Sequence, residues 1–141
     1  MTGGGRSRTA IVCGAGPAGL AAALLLRRSG WRVVLAERFD TAAPVGSGLM
    51  LHPTGMAVLQ ALGLEDAIRA HGCAITRMSG RTPQGRLVLE VGYNPLGPDA
   101  AALAVHRSAL FGVLFAAVVR DGVEVETGFE ARERERSAGG S

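Results

Sequence analysis

The chain has 141 residues, and its hydrophobic content of 48% is sufficient for the core of one globular domain. All fifteen basic residues are arginines, interspersed with twelve acidic residues for a net charge of +3, which argues against a basic nucleic-acid-binding surface. The absence of lysine excludes Schiff-base chemistry and the phosphate-binding lysine of a P-loop.

The cysteines and the apolar runs indicate where the protein resides. Cys13 and Cys73 fit neither a zinc motif nor a disulfide framework, which favours a reducing cytoplasm. The most membrane-like stretch, residues 20–26, is far shorter than the roughly 20 apolar residues of a spanning helix. We therefore expect a cytoplasmic protein that does not insert into a membrane.

The first elements of the chain predict a βαβ unit. Residues 1–8 contain nothing to bury and are predicted to be a flexible leader. Thr9–Cys13 is an apolar, β-branched run typical of a buried parallel strand, in which Cys13 would also be buried. A helix over 17–28 and a second buried strand over 31–37 follow, so the two strands should be parallel neighbours.

The middle of the chain has short elements separated by glycine and proline. In order, the pattern predicts an extended segment over 48–52, a helix capped by Thr54, a further turn over 65–70, a β-hairpin of strands 74–79 and 86–91, and a loop over 93–99.

Helical periodicity returns near the end of the chain. Apolar residues at helical spacing predict a helix over 108–120, which the Asp121–Gly122 pair ends. Residues 123–127 are a third candidate for a parallel strand, and residues 129–141 are predicted to be a polar, disordered tail.

These elements predict an α/β fold with a Rossmann-like βαβ core, a parallel sheet and a small β-hairpin. Residues 9–128 would form one domain, which is incomplete because only three parallel strands are available. The strand over 123–127 should then be a bare sheet edge, through which the chain could self-associate.

The glycines that follow the first strand form the candidate ligand-binding motif. Gly14 permits the tight turn, Gly16 lets the backbone approach a pyrophosphate, and Gly19 allows close packing of the helix on the sheet. The helix then begins at Pro17 and Ala18, and its free N–H groups and partial positive charge favour an anion. This turn is therefore predicted to bind the phosphates of a dinucleotide.

Glu37 ends the second strand, about 20 residues after the glycines. A carboxylate there accepts hydrogen bonds from the ribose hydroxyls of adenosine and repels a 2′-phosphate. The pattern predicts FAD or NAD rather than NADP, and it does not distinguish between the first two.

Three segments resemble a known family. They are residues 14–20 with Glu37 and Arg38, residues 46–55 with the Leu62–Leu64 turn, and residues 106–110. Together they resemble the single-component flavin monooxygenases that include the p-hydroxybenzoate and salicylate hydroxylases, and the likeness extends over residues 9–128.

The resemblance implies a cofactor, a reaction and the residues that bind the cofactor. FAD would be reduced by NADH or NADPH, and oxygen would then serve to hydroxylate a small, often aromatic substrate. Arg107 would contact the flavin cofactor. Arg38 would contact the adenosine or serve as a solvated surface charge, and the closely spaced Gly46 and Gly48 would let the backbone lie against the flavin ring or serve only as loop glycines. The predicted cofactor-binding residues are Gly14, Gly16, Pro17, Ala18, Gly19, Glu37, Arg38, Gly48 and Arg107.

The likeness also indicates what is missing. Members of this family run to a few hundred residues and carry a later Asp-Gly segment in a strand and a later Gly-Asp segment. Asp121–Gly122 ends a predicted helix and is not the first of these motifs, and the second does not occur in this sequence. We therefore expect an N-terminal portion of such an enzyme, without independent activity.

A non-catalytic dinucleotide-binding or interaction fragment is the alternative hypothesis, and part of an NAD-dependent dehydrogenase is a weaker one. Neither a catalytic residue nor a metal site is predicted, and the substrate is unknown.

Overall fold

The computed structural model describes residues 8–43, 46–93 and 101–133. It divides the chain into two units, Met1–Ala43 with Leu114–Ser141, and Pro44–Val113. Residues 1–7 of the predicted leader, most of the predicted 93–99 loop and residues 134–141 of the predicted tail lie outside the described residues.

In chain order the elements are β1 (Thr9–Cys13), α1 (Pro17–Arg28), β2 (Arg32–Ala36), β3 (Gly48–Leu51), α2 (Pro53–Ala61), α3 (Glu65–Arg69), β4 (Gly72–Ile75), β5 (Arg77–Arg81), β6 (Leu87–Gly92), β7 (Ala102–His106), α4 (Arg107–Arg120) and β8 (Glu124–Glu126).

The first unit is built on a parallel sheet with the strand order β1-β2-β8. Thr9 pairs with Arg32 and Cys13 with Ala36, so β1 and β2 are in parallel register over their whole length. β8 continues the sheet on the other side of β2, where Val34 pairs with Glu124. The predicted βαβ unit and the third parallel strand are therefore confirmed.

The core of this unit is aliphatic, and it is formed by α1, β2, the second half of α4 and the residue before β8. Its buried residues lie on α1 (Leu20, Ala23, Leu24), on β2 (Val33, Leu35, Ala36), on the second half of α4 (Leu114, Ala117, Val118) and at Val123. Each fully buried leucine or valine among them contributes about 1.5–3 kcal/mol through removal of apolar surface from water.

An ionic cluster joins the C-terminal ends of α1 and α4. Arg28 Nε donates to Oδ2 of Asp121 at 3.0 Å, and Arg120 Nε donates to Oδ1 at 3.0 Å. Arg27 Nε donates to the Asp121 carbonyl at 3.2 Å. The hydrogen bond from Arg28 is the main cause of a lowered pKa at Asp121. These arginines also lie where the negative ends of the two helix dipoles favour cations.

The second unit contains an antiparallel sheet, a hairpin and two short helices. The sheet has the order β3-β7-β4, and β5 pairs with β6 in the hairpin. Leu49 pairs with Val105, and Cys73 pairs with Ala104. The buried side chains of this unit include Leu59, Leu62 and Ile68 from α2, α3 and the turn between them, together with Leu103 and Val105 from β7.

The predicted hairpin is confirmed, because β5 pairs with β6, but two other predictions for the second unit were wrong and one strand was missed. The helix α2 begins at Pro53 with His52 as its N-cap, because proline is well suited to the first helical position, so Thr54 lies inside the helix. The predicted strand over 74–79 is two strands, β4 and β5, which belong to different sheets. Strand β7 was not predicted at all, although it is the central strand of its sheet.

The prediction that β1 is a buried strand was also wrong. Within the described residues β1 has one neighbour, β2, so it lies at the edge of its sheet. Ile11 is 63% exposed and Cys13 is exposed as well. Composition alone suggested burial on both sides, but burial depends on how many strands flank β1.

Two neighbouring leucines on α1 test the assignment of the core. Leu24 is 0% exposed and Leu25 is 41% exposed. Leu24→Ala should lower the free energy of unfolding by about 2–5 kcal/mol, because it leaves a cavity that the helix cannot close. Leu25→Ala is the matched control and should cost less than about 1 kcal/mol. Urea unfolding of both variants measures the difference, and equal losses would contradict this core.

Candidate functional site

The turn between β1 and α1 needs glycine for two internal reasons. Gly14 has φ +99°, a conformation that side-chain-bearing residues rarely adopt. A Cβ at Gly19 would overlap the carbonyl oxygen of Gly14 and would also lie 3.6 Å from Cγ1 of Val12. The backbone of α1 therefore passes against the end of β1 more closely than any side chain would allow.

Gly16 has neither of these constraints. Its φ of −71° is open to most residues, and a Cβ there would meet nothing within 4 Å. The residue therefore borders open space in front of the helix N-terminus. This is the expected geometry where a backbone must approach a ligand closely.

The amides of this turn are of two kinds, those with an acceptor and those without one among the described residues. Gly14 N donates to the Ala36 carbonyl at 2.7 Å, and Leu20 N donates to the Gly16 carbonyl at 2.9 Å. The amides of Gly16, Ala18 and Gly19 have no acceptor among the described residues, and Pro17 has no N–H to donate. No acidic side chain occupies the first turn of α1, so the positive end of its dipole is available to an anion.

Glu37 lies directly against this turn. Its Oε2 accepts a hydrogen bond from the amide of Ala15 at 2.6 Å, and its Oε1 accepts one from the amide of Phe39 at 3.1 Å. The residue is 8% exposed and is the one buried charged residue within the described part of the chain. The carboxylate thus connects the end of β2 to the glycine turn.

The hydrogen bond from Ala15 is the main reason why the pKa of Glu37 is lowered. Burial acts in the opposite direction, and the amides of Phe39 and Arg38 and the charge of Arg38 lower the pKa further. Glu37 is therefore an anion at neutral pH. A fixed carboxylate of this kind accepts hydrogen bonds from hydroxyl groups and repels phosphate.

A cleft of about 380 Å³ adjoins Glu37 in the same unit. Its walls include Cys13, Gly14, Arg38 and Phe39, together with residues 129–131. Phe129 N donates to the Glu37 carbonyl at 2.9 Å, which brings residues beyond β8 to this position. The sequence pattern assigned these residues to the tail, although β8 is parallel to β2 and must deliver the residues after it to the same sheet edge.

Arg38 is exposed and lies at the rim of this cleft. Its guanidinium lies 4.6 Å from the centre of the Phe39 ring, a cation–π contact that holds it against the surface. Its predicted contact with adenosine remains a prediction.

The second unit brings together the other two predicted residues, Gly48 and Arg107. Arg107 is the first residue of α4, and its amide donates to the Ser47 carbonyl at 2.9 Å. Its side chain lies against Gly46, where a Cβ would come within 3.3 Å of Cδ and Nε, and where φ is +107°. Gly48 pairs with His106 across β3 and β7.

Gly48 also lines a cleft of about 800 Å³ in this unit. The cleft lies on the sheet β3-β7-β4 and includes Met50, Cys73 and His106 in its wall. Its volume is within the usual range for small-molecule sites. Within residues 8–43, 46–93 and 101–133, no three His, Cys, Asp or Glu side chains are grouped so that they could hold a metal ion.

The predicted site residues therefore form two sets. The Gly14–Gly19 turn, Glu37 and Arg38 lie in the first unit, and Gly48 and Arg107 lie in the second. A family model described as an FAD binding domain matches residues 7–140. The chain belongs to this family. The predicted resemblance to flavin-dependent monooxygenases and the predicted cofactor, FAD, are confirmed.

Relatives of this FAD binding domain are similar in sequence and in fold. A 2-heptyl-3-hydroxy-4(1H)-quinolone synthase described as putative, from Rhodococcus erythropolis, is 37% identical over 84% of this chain and 31% of its own length. The 3-hydroxybenzoate 6-hydroxylase 1 of Aquipseudomonas alcaligenes is 31% identical over 89% of this chain and 33% of its own. The structure of 2-methyl-3-hydroxypyridine-5-carboxylic acid oxygenase has a TM-score of 0.76 at 27% identity, over 88% of this chain and 32% of that one.

The chain thus spans about a third of the length of the relatives that it matches. Within the described residues, none of the helices of this FAD binding domain combines the length and the apolar composition needed to cross a lipid bilayer.

Glycine substitutions separate the two kinds of glycine in the turn. Gly19→Ala should lower the free energy of unfolding by about 1–3 kcal/mol or more, because its Cβ overlaps the Gly14 carbonyl oxygen. Gly16→Ala should cost less than about 1 kcal/mol, because its Cβ enters open space at an ordinary φ. Thermal and urea unfolding measure both values, and a larger loss at Gly16 would disprove this assignment.

Glu37 should make the stability of this FAD binding domain depend on pH in the acid range. Its pKa is lower in the folded than in the unfolded chain, so the unfolded state takes up a proton first. Its contribution is complete above the ordinary glutamate pKa of roughly 4.3 and is lost as the pH falls through the folded value. Glu37→Gln should therefore lose about 1–3 kcal/mol at neutral pH and much less in acid.

Urea unfolding at neutral and at acid pH measures this difference. Glu130→Gln is the control, because Glu130 borders the same cleft but its side chain is 54% exposed. If the effect of Glu37→Gln were the same at both pH values, the carboxylate charge would have no role in holding the turn.

Proposed function

We propose that this chain binds FAD, with the ADP half on the Gly14–Gly19 turn and Glu37, and with Arg38, Gly48 and Arg107 as further contacts. We further propose that a whole protein carrying this domain hydroxylates a small, often aromatic substrate with NADH or NADPH and oxygen. The observation that carries the proposal is the Glu37 carboxylate, fixed 2.6 Å from the Ala15 amide beside a turn whose other amides include three without an acceptor among the described residues.

The chemistry of the turn matches the two ends of an ADP group. A diphosphate would accept hydrogen bonds from the amides of Gly16, Ala18 and Gly19 at the positive end of α1. The ribose would donate its hydroxyls to Glu37, which cannot donate in return because its pKa is lowered. The cleft beside Glu37, lined by Phe39 and residues 129–131, has room for a purine ring.

The second unit supports a contact with the rest of the cofactor. Arg107 carries a positive charge at the start of α4, where the helix dipole disfavours cations, and an anionic ligand would offset this cost. Its planar guanidinium is suited to phosphate. Gly46 and Gly48 carry no side chains of their own, which lets their backbone lie against a flat ring system.

The reaction itself would depend on the bound cofactor. FAD supplies the redox chemistry when bound, and the residues of this chain would bind and orient it. Two relatives are named for aromatic compounds, 3-hydroxybenzoate and a hydroxypyridine carboxylic acid, which supports an aromatic substrate for the whole protein. We propose a cytoplasmic location and no nucleic-acid or membrane partner, in keeping with the modest charge.

A non-catalytic dinucleotide-binding or interaction fragment is the second candidate. It is favoured by the length of the chain, which spans about a third of the relatives. Such a fragment could bind FAD without consuming NADH or NADPH.

Titration of the purified chain with FAD, read by flavin fluorescence and equilibrium dialysis, tests the proposal. Gly16→Val should weaken FAD binding at least about tenfold, or ~1.4 kcal/mol, because its side chain fills the space before the amides. Gly112→Val is the matched control, because a Cβ at Gly112 also meets nothing within 4 Å. Arg107→Ala should weaken FAD binding, whereas Arg86→Ala in the hairpin turn should not.

The outcomes separate the candidates. Unchanged FAD binding by Gly16→Val would refute the proposed phosphate site. FAD binding without oxidation of NADH or NADPH would leave the cofactor site standing and favour the non-catalytic fragment.

A further inference from the structure

Arg107 lies at the point where a strand passes directly into a helix. β7 ends at His106 and α4 begins at Arg107, with no residue between them. Gly48 pairs with His106, and the amide of Arg107 donates to the Ser47 carbonyl at 2.9 Å, so the pairing of β3 with β7 extends one residue beyond both strands. The backbone of Arg107 is therefore fixed by the sheet and by the helix together.

The side chain of Arg107 lies along the backbone of Gly46. A Cβ at Gly46 would be 3.3 Å from Cδ, 3.3 Å from Nε and 3.6 Å from Cζ of Arg107. These are three consecutive atoms, so the contact extends along the end of the side chain. Because nonbonded carbon atoms ordinarily approach to about 3.5–4.0 Å, a side chain at position 46 would push Arg107 aside.

Gly46 is thus glycine for two reasons, and the hairpin turn contains a glycine that has only one of them. The φ angle is +107° at Gly46 and +86° at Gly85, and side-chain-bearing residues rarely adopt either value. A Cβ at Gly85, however, would meet nothing within 4 Å. Because both glycines belong to the second unit, comparing them separates the cost of the backbone conformation from the contact with Arg107.

Other arginines of this unit are held by carboxylates. Arg69 and Arg77 each form a salt bridge with a glutamate. A carboxylate orients a guanidinium and also neutralises its charge, whereas the uncharged backbone of Gly46 orients the Arg107 side chain and leaves its charge intact. A side chain that is ordered before binding loses less conformational entropy when a ligand binds. The contact with Gly46 therefore favours the binding of an anion by Arg107.

We propose that Gly46 is a positioning residue for Arg107. Its lack of a side chain lets the end of the Arg107 side chain lie along the backbone, in the orientation in which the guanidinium binds the anionic part of FAD. The inference rests on the proposed FAD site and goes beyond it, because it assigns the orientation of Arg107 to another residue. Gly46 acts on FAD affinity through Arg107.

Titration with FAD of four forms of the full chain tests this role: the wild type, Gly46→Ala, Arg107→Ala and the double variant. Arg107→Ala should weaken binding about tenfold or more, as expected for the loss of a charge-assisted hydrogen bond. Gly46→Ala should weaken binding at least about threefold, because its Cβ displaces the Arg107 side chain. In the Arg107→Ala background the same substitution should change the dissociation constant by less than about twofold, because the side chain through which it acts is gone.

Gly85→Ala is the matched control. It introduces similar strain at a positive φ in the same unit but meets no side chain, so it should change FAD affinity by less than about twofold. Urea unfolding of both variants shows that each is folded under the conditions of the titration. Gly46→Asn and Gly85→Asn form a second pair in case an alanine variant does not fold, because asparagine adopts positive φ more readily than alanine.

Equal effects of Gly46→Ala and Gly85→Ala on FAD binding would overturn the positioning role. An equal loss from Gly46→Ala in both backgrounds would also overturn it, because Gly46 would then act on the cofactor without Arg107. A failure of the FAD contact itself gives a different result. If Arg107→Ala bound FAD as tightly as the wild type, the proposed contact between Arg107 and the cofactor would be wrong, and the positioning role with it.

Discussion

The hydrogen bond between the Glu37 carboxylate and the Ala15 amide is the interaction on which the candidate site depends. It joins the end of β2 to the turn that follows β1, and it fixes the direction of the turn without help from a side chain in the turn itself. The same hydrogen bond also distinguishes the amide of Ala15 from the other amides of the turn. The carboxylate accepts from the amide of Ala15, and the amides of Gly16, Ala18 and Gly19 have no acceptor among the described residues. An anion is attracted to those amides and repelled by the Glu37 carboxylate. A ligand that fits both groups therefore carries a negative charge near the amides and hydroxyl groups next to Glu37.

The three glycines of the turn differ in what they do, although they look alike in the sequence. Gly14 is required by its positive φ and Gly19 by the closeness of the Gly14 carbonyl, so both serve the fold. Gly16 has ordinary backbone angles and open space beside it, so the folded chain gives no reason for glycine there. At the N-terminus of α1, beside amides without acceptors, such a glycine suits the close approach of a ligand, whereas the other two would be needed even in a protein that bound nothing.

Local patterns predicted the first βαβ unit and the last helix well, because their periodicity and end signals agree. β1 and α1 have the predicted bounds, and α4 begins one residue before its predicted start. The predictions for the second unit were weaker because strand pairing there is not local. β4 and β5 are separated by Thr76 alone, and nothing in residues 72–81 shows that the two halves pair with different partners, β7 and β6. The contact of Gly46 with Arg107 is likewise invisible in the sequence, because the two residues are brought together by the pairing of β3 with β7.

For β1, the amino-acid composition and the strand order of the sheet predict different degrees of burial. An uncharged run such as Thr9–Cys13 is typical of a strand with neighbours on both sides, yet β2 takes the central position here because β8 pairs with it and not with β1. The glutamates of β8 are typical of an edge strand, and β8 is an edge. Of the two outer strands, β8 therefore has the composition of an edge strand, whereas β1 has the composition of an interior strand. Strand order, which no single segment encodes, decides how much of that apolar composition reaches solvent. An interior composition at a sheet edge leaves backbone donors and acceptors beside apolar side chains, and a further strand would satisfy both at once.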